Sequence, residues 1–359
     1  MIDIEMLAMP FLISLCLTPI IKIYSNWAKA YALENARTVH HGIISRIGGI
    51  AIYIAFIVTM AHYVKPDRAV TGIVAGGSIM FFAGLIDDLS DLTPRMKLLI
   101  EVIAAAVVIF FGVSVDVLRL PFGVSIDMGV ISVLFTMFWI VGITNAVNLI
   151  DGLDGLAGGM SVIVLVIAGS LSIIERRFDI MNIAFILAAA AAGFLVYNAY
   201  PASIFMGDCG SLFLGFMIST ISLIGFKSSS IMTLALPILI LMVPIIDTLS
   251  AIVRRTLKGQ RFMEADKSHL HHMLMKQFGH RNTVVIMCGL TALFGLSAFV
   301  YMINRNIGFF TMLVILMGVE LFIEKSGMIS KHYHPMIGLY HRISRKWESF
   351  KKKLKKNSN

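Results

Sequence analysis

Residues 70–91 read VTGIVAGGSIMFFAGLIDDLSD, a run of apolar and small residues that closes on three carboxylates, Asp87, Asp88 and Asp91. About 20 such residues carry a helix across the hydrocarbon core of a bilayer. Acids at the edge of that core are costly unless cations or water neutralise them, so they mark function by default. The stretch therefore reads as a membrane span with a chemically active end. A solvated helix end is the plainer alternative.

Outward from it the pattern recurs. Apolar runs of span length cover Leu7–Tyr24, Ile47–Val64, Val70–Ile86, Leu98–Val113, Val130–Val147, Met160–Ile174, Ile180–Tyr197, Leu212–Gly225, Ile231–Val253, Val284–Ile303 and Ile307–Ile323. The fold class this predicts is an all-α polytopic membrane protein with about eleven transmembrane helices. Composition agrees: of 359 residues, 58% are hydrophobic and 14% charged, against about 45–50% and 25% in soluble domains. We expect one transmembrane catalytic domain over residues 1–330 and a basic tail over 331–359. Asp3 and Glu5 stand where a basic leader would, so the first helix is expected to remain in place.

The net charge of +9 does not point to nucleic acid, because much of it lies in the tail after the last apolar run. Anionic membrane lipids are the nearer partner. Ile343, Trp347, Phe350 and Leu354 recur there at helical spacing, as in a surface-lying amphipathic helix; a disordered basic anchor is the alternative. Cys16, Cys209 and Cys288 have neither disulfide nor metal-ligand spacing.

Placing the N-terminus outside assigns 23 of the 30 Lys and Arg residues to the cytoplasmic loops and tail, which is the positive-inside asymmetry. The C-terminus is then cytoplasmic. The count uses no motif, yet it puts Asp87, Asp88, Asp91, Asn148, Asp151, Asp154, Asn198, Asp208 and the segment His269–His272 on one cytoplasmic face.

Four segments on that face carry candidate chemistry. The first is the acid triplet with Lys97 at the start of the next span, where an ammonium suits diphosphate charge or serves as a positive-inside anchor. The second is NAVNLIDGLDG at residues 145–155, where glycines allow close backbone approach to a ligand. Asn148 there offers a neutral metal-ligating oxygen, and Asp151 and Asp154 offer acceptors for a base edge; plain helix connectors are the alternative. The third, YNAYPASIFMGDCGS at 197–211, exposes Asp208 between glycines at a helix start, as ligand or N-cap. It also holds Asn198, and Phe205 as a ring to stack on a base or simply to pack. The last runs from Arg254 through Lys267, His269, His271 and His272, cations and imidazoles suited to a diphosphate. Zinc is disfavoured, since no further ligand follows at a familiar spacing.

Taken in this order, the segments from Arg37 to His272 resemble the polyprenyl-phosphate N-acetylhexosamine-1-phosphate transferases. The resemblance implies that Asp208 and Asn148 hold Mg²⁺, with Mn²⁺ as a substitute, that Phe205 stacks on uracil and that Asp154 recognises the base. It implies that Asp87 and Asp88 serve the acceptor phosphate and the catalytic centre, that Lys97 meets the diphosphate, and that Asp91 lies near the sugar-phosphate. It further implies that His269, His271 and His272 close over the donor, with Asn148, Asp151, Asp154, Asn198, Phe205, Arg254 and Lys267 around the nucleotide sugar.

The pattern DKSHLHH at 266–272 and the loop containing Arg37, His40 and Arg46 are similar to the bacterial GlcNAc-1-phosphate branch, which begins teichoic acid, enterobacterial common antigen or O-antigen synthesis. Thr38 and Ser45 depart from that loop's usual Lys and Pro. The implied partners are UDP-GlcNAc and undecaprenyl phosphate, at the inner membrane of a bacterial cell, with a homodimer left open. Two other classes fit less well. An ion-coupled transporter would carry its acids at mid-membrane in matching halves. A CDP-alcohol phosphotransferase needs an Ala-Arg pair soon after its first Asp-Gly, where this chain has Gly155-Leu156-Ala157-Gly158.

Overall fold

The computed structural model describes residues 3–27, 31–32, 44–65, 67–119, 125–225, 238, 241–257, 270–326 and 338. The helices are α1 (Ile4–Trp27), α2 (Gly49–Tyr63), α3 (Arg68–Ser90), α4 (Pro94–Phe110), α5 (Ile131–Ile150), α6 (Leu156–Ile174), α7 (Phe178–Asn198) and α8 (Gly207–Gly225). They continue as α9 (Met242–Leu257), α10 (Leu270–Phe278), α11 (His280–Ile303) and α12 (Arg305–Ser326). Seven of them, α1, α3, α5, α6, α7, α8 and α11, are long and apolar enough to cross a membrane. Shorter apolar helices lie at Gly49–Tyr63, Met242–Ile252 and Asn306–Phe322. The chain is a multi-pass, all-α membrane protein. The expected span Ile231–Val253 is described only in part, and the tail after residue 338 lies outside the described residues.

Local chemistry sets the ends of the span that opened the sequence reading. Asp67 caps α3 by accepting from the Val70 amide at 2.7 Å, satisfying one of the first-turn donors. The helix closes where Asp91 turns left-handed at φ 45°. Thr93 then caps α4 and Pro94 opens it, a position where the missing N–H costs nothing. Two short antiparallel ladders depart from the all-helix expectation: β1 (Tyr31–Ala32) with β2 (Ile44–Ser45), and β3 (Val117–Arg119) with β4 (Ser125–Asp127).

Helix α8 is the axis of the bundle. It packs against α2, α3, α5, α6 and α7, and 94% of its span is buried inside the protein. Small residues let its neighbours come close, as they do between membrane helices generally. A Cβ on Gly84 of α3 would run into the backbone carbonyl of Asp208. Aromatic rings fill the other end of this contact: Tyr53 stacks on Phe81 at 3.8 Å, and Phe213 meets both Tyr53 and Phe56 edge-on. A second apolar cluster joins Ile150, Leu153 and Leu156 to Val243, Leu270, Leu274 and Phe294. It seats α10 beside the loop between α5 and α6.

Gly84→Ala is therefore expected to destabilise the detergent-solubilised protein by about 1–3 kcal/mol, as overpacking does. Gly142→Ala, where an added Cβ meets nothing within 4 Å, should leave the thermal unfolding midpoint unchanged.

Candidate active site

The α3 C-terminus, the α4 N-terminus, the α5 C-terminus and the α8 N-terminus all end on one rim of the bundle, and their polar residues meet there. The Lys97 ammonium lies 2.6 Å from Asp87 Oδ2 and 2.6 Å from Asp208 Oδ2. The three side chains keep 29%, 8% and 19% exposure, so the ion pairs sit under a partial cover. The other Asp87 oxygen accepts from the Leu92 amide at 2.6 Å. Asp208 also takes a hydrogen bond from Asn148, whose Nδ2 donates to Ser211 Oγ at 2.7 Å.

Asp88 does something different from its neighbour. Its Oδ1 accepts from the Asp208 amide at 3.0 Å and its Oδ2 from the Cys209 amide at 2.9 Å. A carboxylate from α3 thus caps the start of α8, where orphan N–H groups and the helix dipole favour negative charge. Arg46 lies 4.0 Å from the same carboxylate. The cap works because Gly207, at φ 71°, brings the chain in against the Arg46 carbonyl and Asp88, where a Cβ would clash. Asp208 is therefore not the N-cap that its glycine-flanked position also allowed. Capped by Asp88, it turns its carboxylate to Lys97.

The loop before α2 is stitched to this start. Phe205 N donates to Ser45 O at 2.8 Å, Gly48 N to Phe205 O at 3.0 Å, and Gly49 N to Met206 O at 2.8 Å. Phe205 is half-buried on that seam. Asp151 ends α5 close to the cluster; burial pushes its carboxyl up to about 7, with the charges of Asp208 and Asp88 adding and Arg46 opposing. Asp91 is exposed at the left-handed turn.

A neighbouring group forms around Asp154, whose Oδ2 accepts from the Ala202 amide at 2.9 Å. Asn198 is bonded at both ends: its Oδ1 accepts from Gly155 N at 3.1 Å and its Nδ2 donates to Ile204 O at 3.0 Å. It braces the 155 and 204 loops against each other. Lys267 and His269 lie outside the described residues, as do the side chains of Arg254 and His271. His272 is on α10, whose first amide, Leu270 N, donates to Asp247 Oδ1 at 2.6 Å.

Three residues at or beside the site went unread in the sequence. Glu101 is 3% exposed, one turn beyond Lys97 on α4, and accepts from Asn145 Nδ2 at 2.6 Å. Asp247, 1% exposed in α9, anchors α10. A carboxylate inside an apolar helix is itself a signal, and both could have been found by it. The third, His280 at the start of α11, gave no such signal.

The donor set fits a hard divalent cation. Lys97 already stands as a cation between two carboxylates, with the Asn148 amide bonded to one of them. Mg²⁺ takes one or two carboxylates and completes its shell with water and substrate phosphate. Among the described residues no cluster of three His, Cys, Asp or Glu forms a metal site by itself.

Membrane-length helices that gather carboxylates around one lysine at a shared rim define a multi-pass membrane protein with its chemistry at one surface. The glycosyl transferase family 4 model matches residues 70–226, and the chain belongs to that family. It is 36% identical over 335 residues to a Bacillus subtilis protein named "Probable undecaprenyl-phosphate N-acetylglucosaminyl 1-phosphate transferase", covering 92% of this chain and 93% of that one. The decaprenyl-phosphate N-acetylglucosaminephosphotransferase of Mycolicibacterium smegmatis is 33% identical, with 70% of each chain covered. The phospho-N-acetylmuramoyl-pentapeptide-transferase of Listeria welshimeri is 34% identical over 51% of this chain and 57% of its own.

Removing the lysine leaves two largely buried carboxylates near each other without a cation, which costs a few kcal/mol less whatever solvent at the rim screens. Lys97→Met should accordingly lower the thermal midpoint. The double variant Lys97→Met with Asp87→Asn should recover much of that loss, as read by unfolding in detergent.

Proposed function

We propose that the protein transfers GlcNAc-1-phosphate from UDP-GlcNAc to undecaprenyl phosphate at the cytoplasmic face of a bacterial membrane, giving undecaprenyl diphosphate-GlcNAc and UMP. The observation that carries the reading is the pairing of Lys97 with Asp87 and Asp208 at the rim, in a chain similar over nine-tenths of its length to a protein named for this reaction. The orientation rests on the positive-inside asymmetry, which puts that rim in the cytoplasm with the N-terminus outside and eleven spans between.

In this reading an oxygen of the lipid phosphate forms a bond to the β-phosphorus of the donor. The bond from that phosphorus to the bridging oxygen breaks, and UMP leaves with the electron pair. Phosphoryl transfer asks mainly for positioning and neutralisation of charge. Lys97 supplies a cation already aimed at the site by two carboxylates, and moves its partnership to diphosphate oxygens when the donor enters. Asp87, held by Leu92 N, orients the acceptor end. Asp88 serves the centre indirectly, through the α8 cap that aims Asp208. Asp154 and Phe205 face the base, and the histidine segment, which leads into α10, meets the diphosphate. Asp208 and Asn148 would hold Mg²⁺, which when bound neutralises phosphate charge and orients the phosphoryl oxygens.

Purified protein with undecaprenyl phosphate should release UMP from UDP-GlcNAc and not from UDP-MurNAc-pentapeptide. Chelation should stop release and Mg²⁺ restore it. Asp208→Asn should cut turnover by about 10²-fold or more, the scale of losing one preorganised electrostatic group, while the protein stays folded. Equal release from both donors would overturn the donor assignment, and unchanged turnover in Asp208→Asn the metal assignment. A cysteine at Ser90 should react with an impermeant thiol reagent only from the cytoplasm, and one at Ser125 only from outside; the reverse would overturn the orientation.

A further inference from the structure

Glu101 is the only acid in α4, and it lies in line with Ala104, Ala105 and Val108 on the buried face of that helix. At 3% exposure it acts on the site through its neighbours rather than by contact with anything bound at the rim. Its Oε2 accepts from Asn145 Nδ2 at 2.6 Å, and the same nitrogen donates to the Val141 carbonyl at 2.9 Å. Asn145 thus pins the carboxylate across the contact between α4 and α5. The bond is to a neutral amide, and among the described residues Glu101 joins none of the ion pairs at the rim. A carboxylate in an apolar helix face is costly without a charge to balance it. Lys97 stands one turn earlier on the same helix, and the charges of Lys97 and Asp208 both reach Glu101. Helical side chains tilt towards the N-terminus, which brings the side chain of Glu101 towards the level of Lys97.

The ammonium therefore answers to two kinds of acid. Asp87 and Asp208 touch it at the rim, where an entering phosphate can take their place. Glu101 is shut in below and tied to another helix, so it cannot exchange. We propose that Glu101 is a positioning residue for phosphate exchange at Lys97, a fixed negative charge held by Asn145 that keeps the ammonium from gripping the departing nucleotide phosphate too tightly. The sign follows from electrostatics. A negative charge beneath a cation weakens the hold of that cation on phosphate, for the entering donor and the leaving UMP alike. A unit charge about one helical turn away, at the effective dielectric of a protein site, is worth about tenfold in such an equilibrium, less what solvent at the rim screens. Where product release limits turnover, a tighter grip slows the enzyme.

This deepens the proposed uridine-diphosphate-sugar reaction and rests on it. Glu101→Gln keeps the shape of the side chain and an oxygen to accept from Asn145, and removes only the charge. In the full-length purified enzyme, KM for UDP-GlcNAc and kcat should both fall, by about three- to tenfold. A purely structural role would lower kcat or raise KM, and would not tighten binding. Calorimetric binding of UMP should tighten by a similar factor. That measurement needs neither acceptor nor turnover, so it separates failure of this inference from failure of the reaction assignment, which would show as wild-type protein that releases no UMP. Adding Asn145→Asp to Glu101→Gln moves the charge to the other end of the same bond, and should return UMP affinity and kcat towards wild type. Glu101→Asp, which retains the charge, should bind UMP as wild type does. A Glu101→Gln variant that binds UMP with wild-type or weaker affinity would overturn the proposal, and so would a folded double variant that binds as tightly as Glu101→Gln. If the double variant does not fold, Glu101→Asp decides, and binding as tight as that of Glu101→Gln overturns the proposal.

Discussion

Two carboxylates and one ammonium at the edge of a membrane are the constraint on which the rest of this protein is arranged. Asp87 and Asp208 come from helices more than a hundred residues apart in sequence, and each is 2.6 Å from Lys97. Either acid alone would be costly at that depth. With the lysine between them they persist as a charged group that a phosphate can enter by exchanging partners. The backbone is committed to this arrangement. Gly84 lets α3 touch the α8 turn that bears Asp208, and Asp88 ties the two helices by capping one with the other. Electrostatics and close packing therefore fail or succeed together at this point.

The sequence showed the seven membrane-length helices and their polar ends, because apolar length and the placement of acids are local properties. The run ending in Asp87 and Asp88 became α3 with that end on the shared rim, and the segments around Asn148 and Asp208 came to the same rim. What local pattern does not carry is which acid does what. Asp87 and Asp88 are indistinguishable as neighbours in a chain. One helical step apart, one faces Lys97 and the other faces two amides of α8. Asn198, expected around the nucleotide sugar, also braces two loops, and only the folded chain shows that each end of its amide meets backbone. Glu101 and Asn145 lie on different helices, and their bond exists only once α4 and α5 pack. The two short ladders escaped because pairings of two or three residues leave no periodic trace.

The second apolar cluster gives the site a further element of order. Ile150 and Leu153 flank Asp151, and they share a core with Leu270 and Leu274 of α10. The described end of the histidine segment is thus seated on the floor of the loop that presents Asp151 and Asp154. Asp247 holds the first amide of α10 from below. Segments far apart in the chain are in this way carried on one packed unit.

The near-complete enclosure of α8 has a consequence for the lipid surroundings. A bilayer thicker or thinner than a protein's apolar belt acts by tilting the helices that touch it. Here those are the outer helices, including α1, of whose span only 22% is buried, and α5 and α11, each at 39%. Helix α8, at 94%, meets protein on almost every side. The helix that bears Asp208 is therefore the one that changes in membrane thickness reach last. The position of Asp208 is set by protein contacts and insulated from the acyl-chain composition of the membrane.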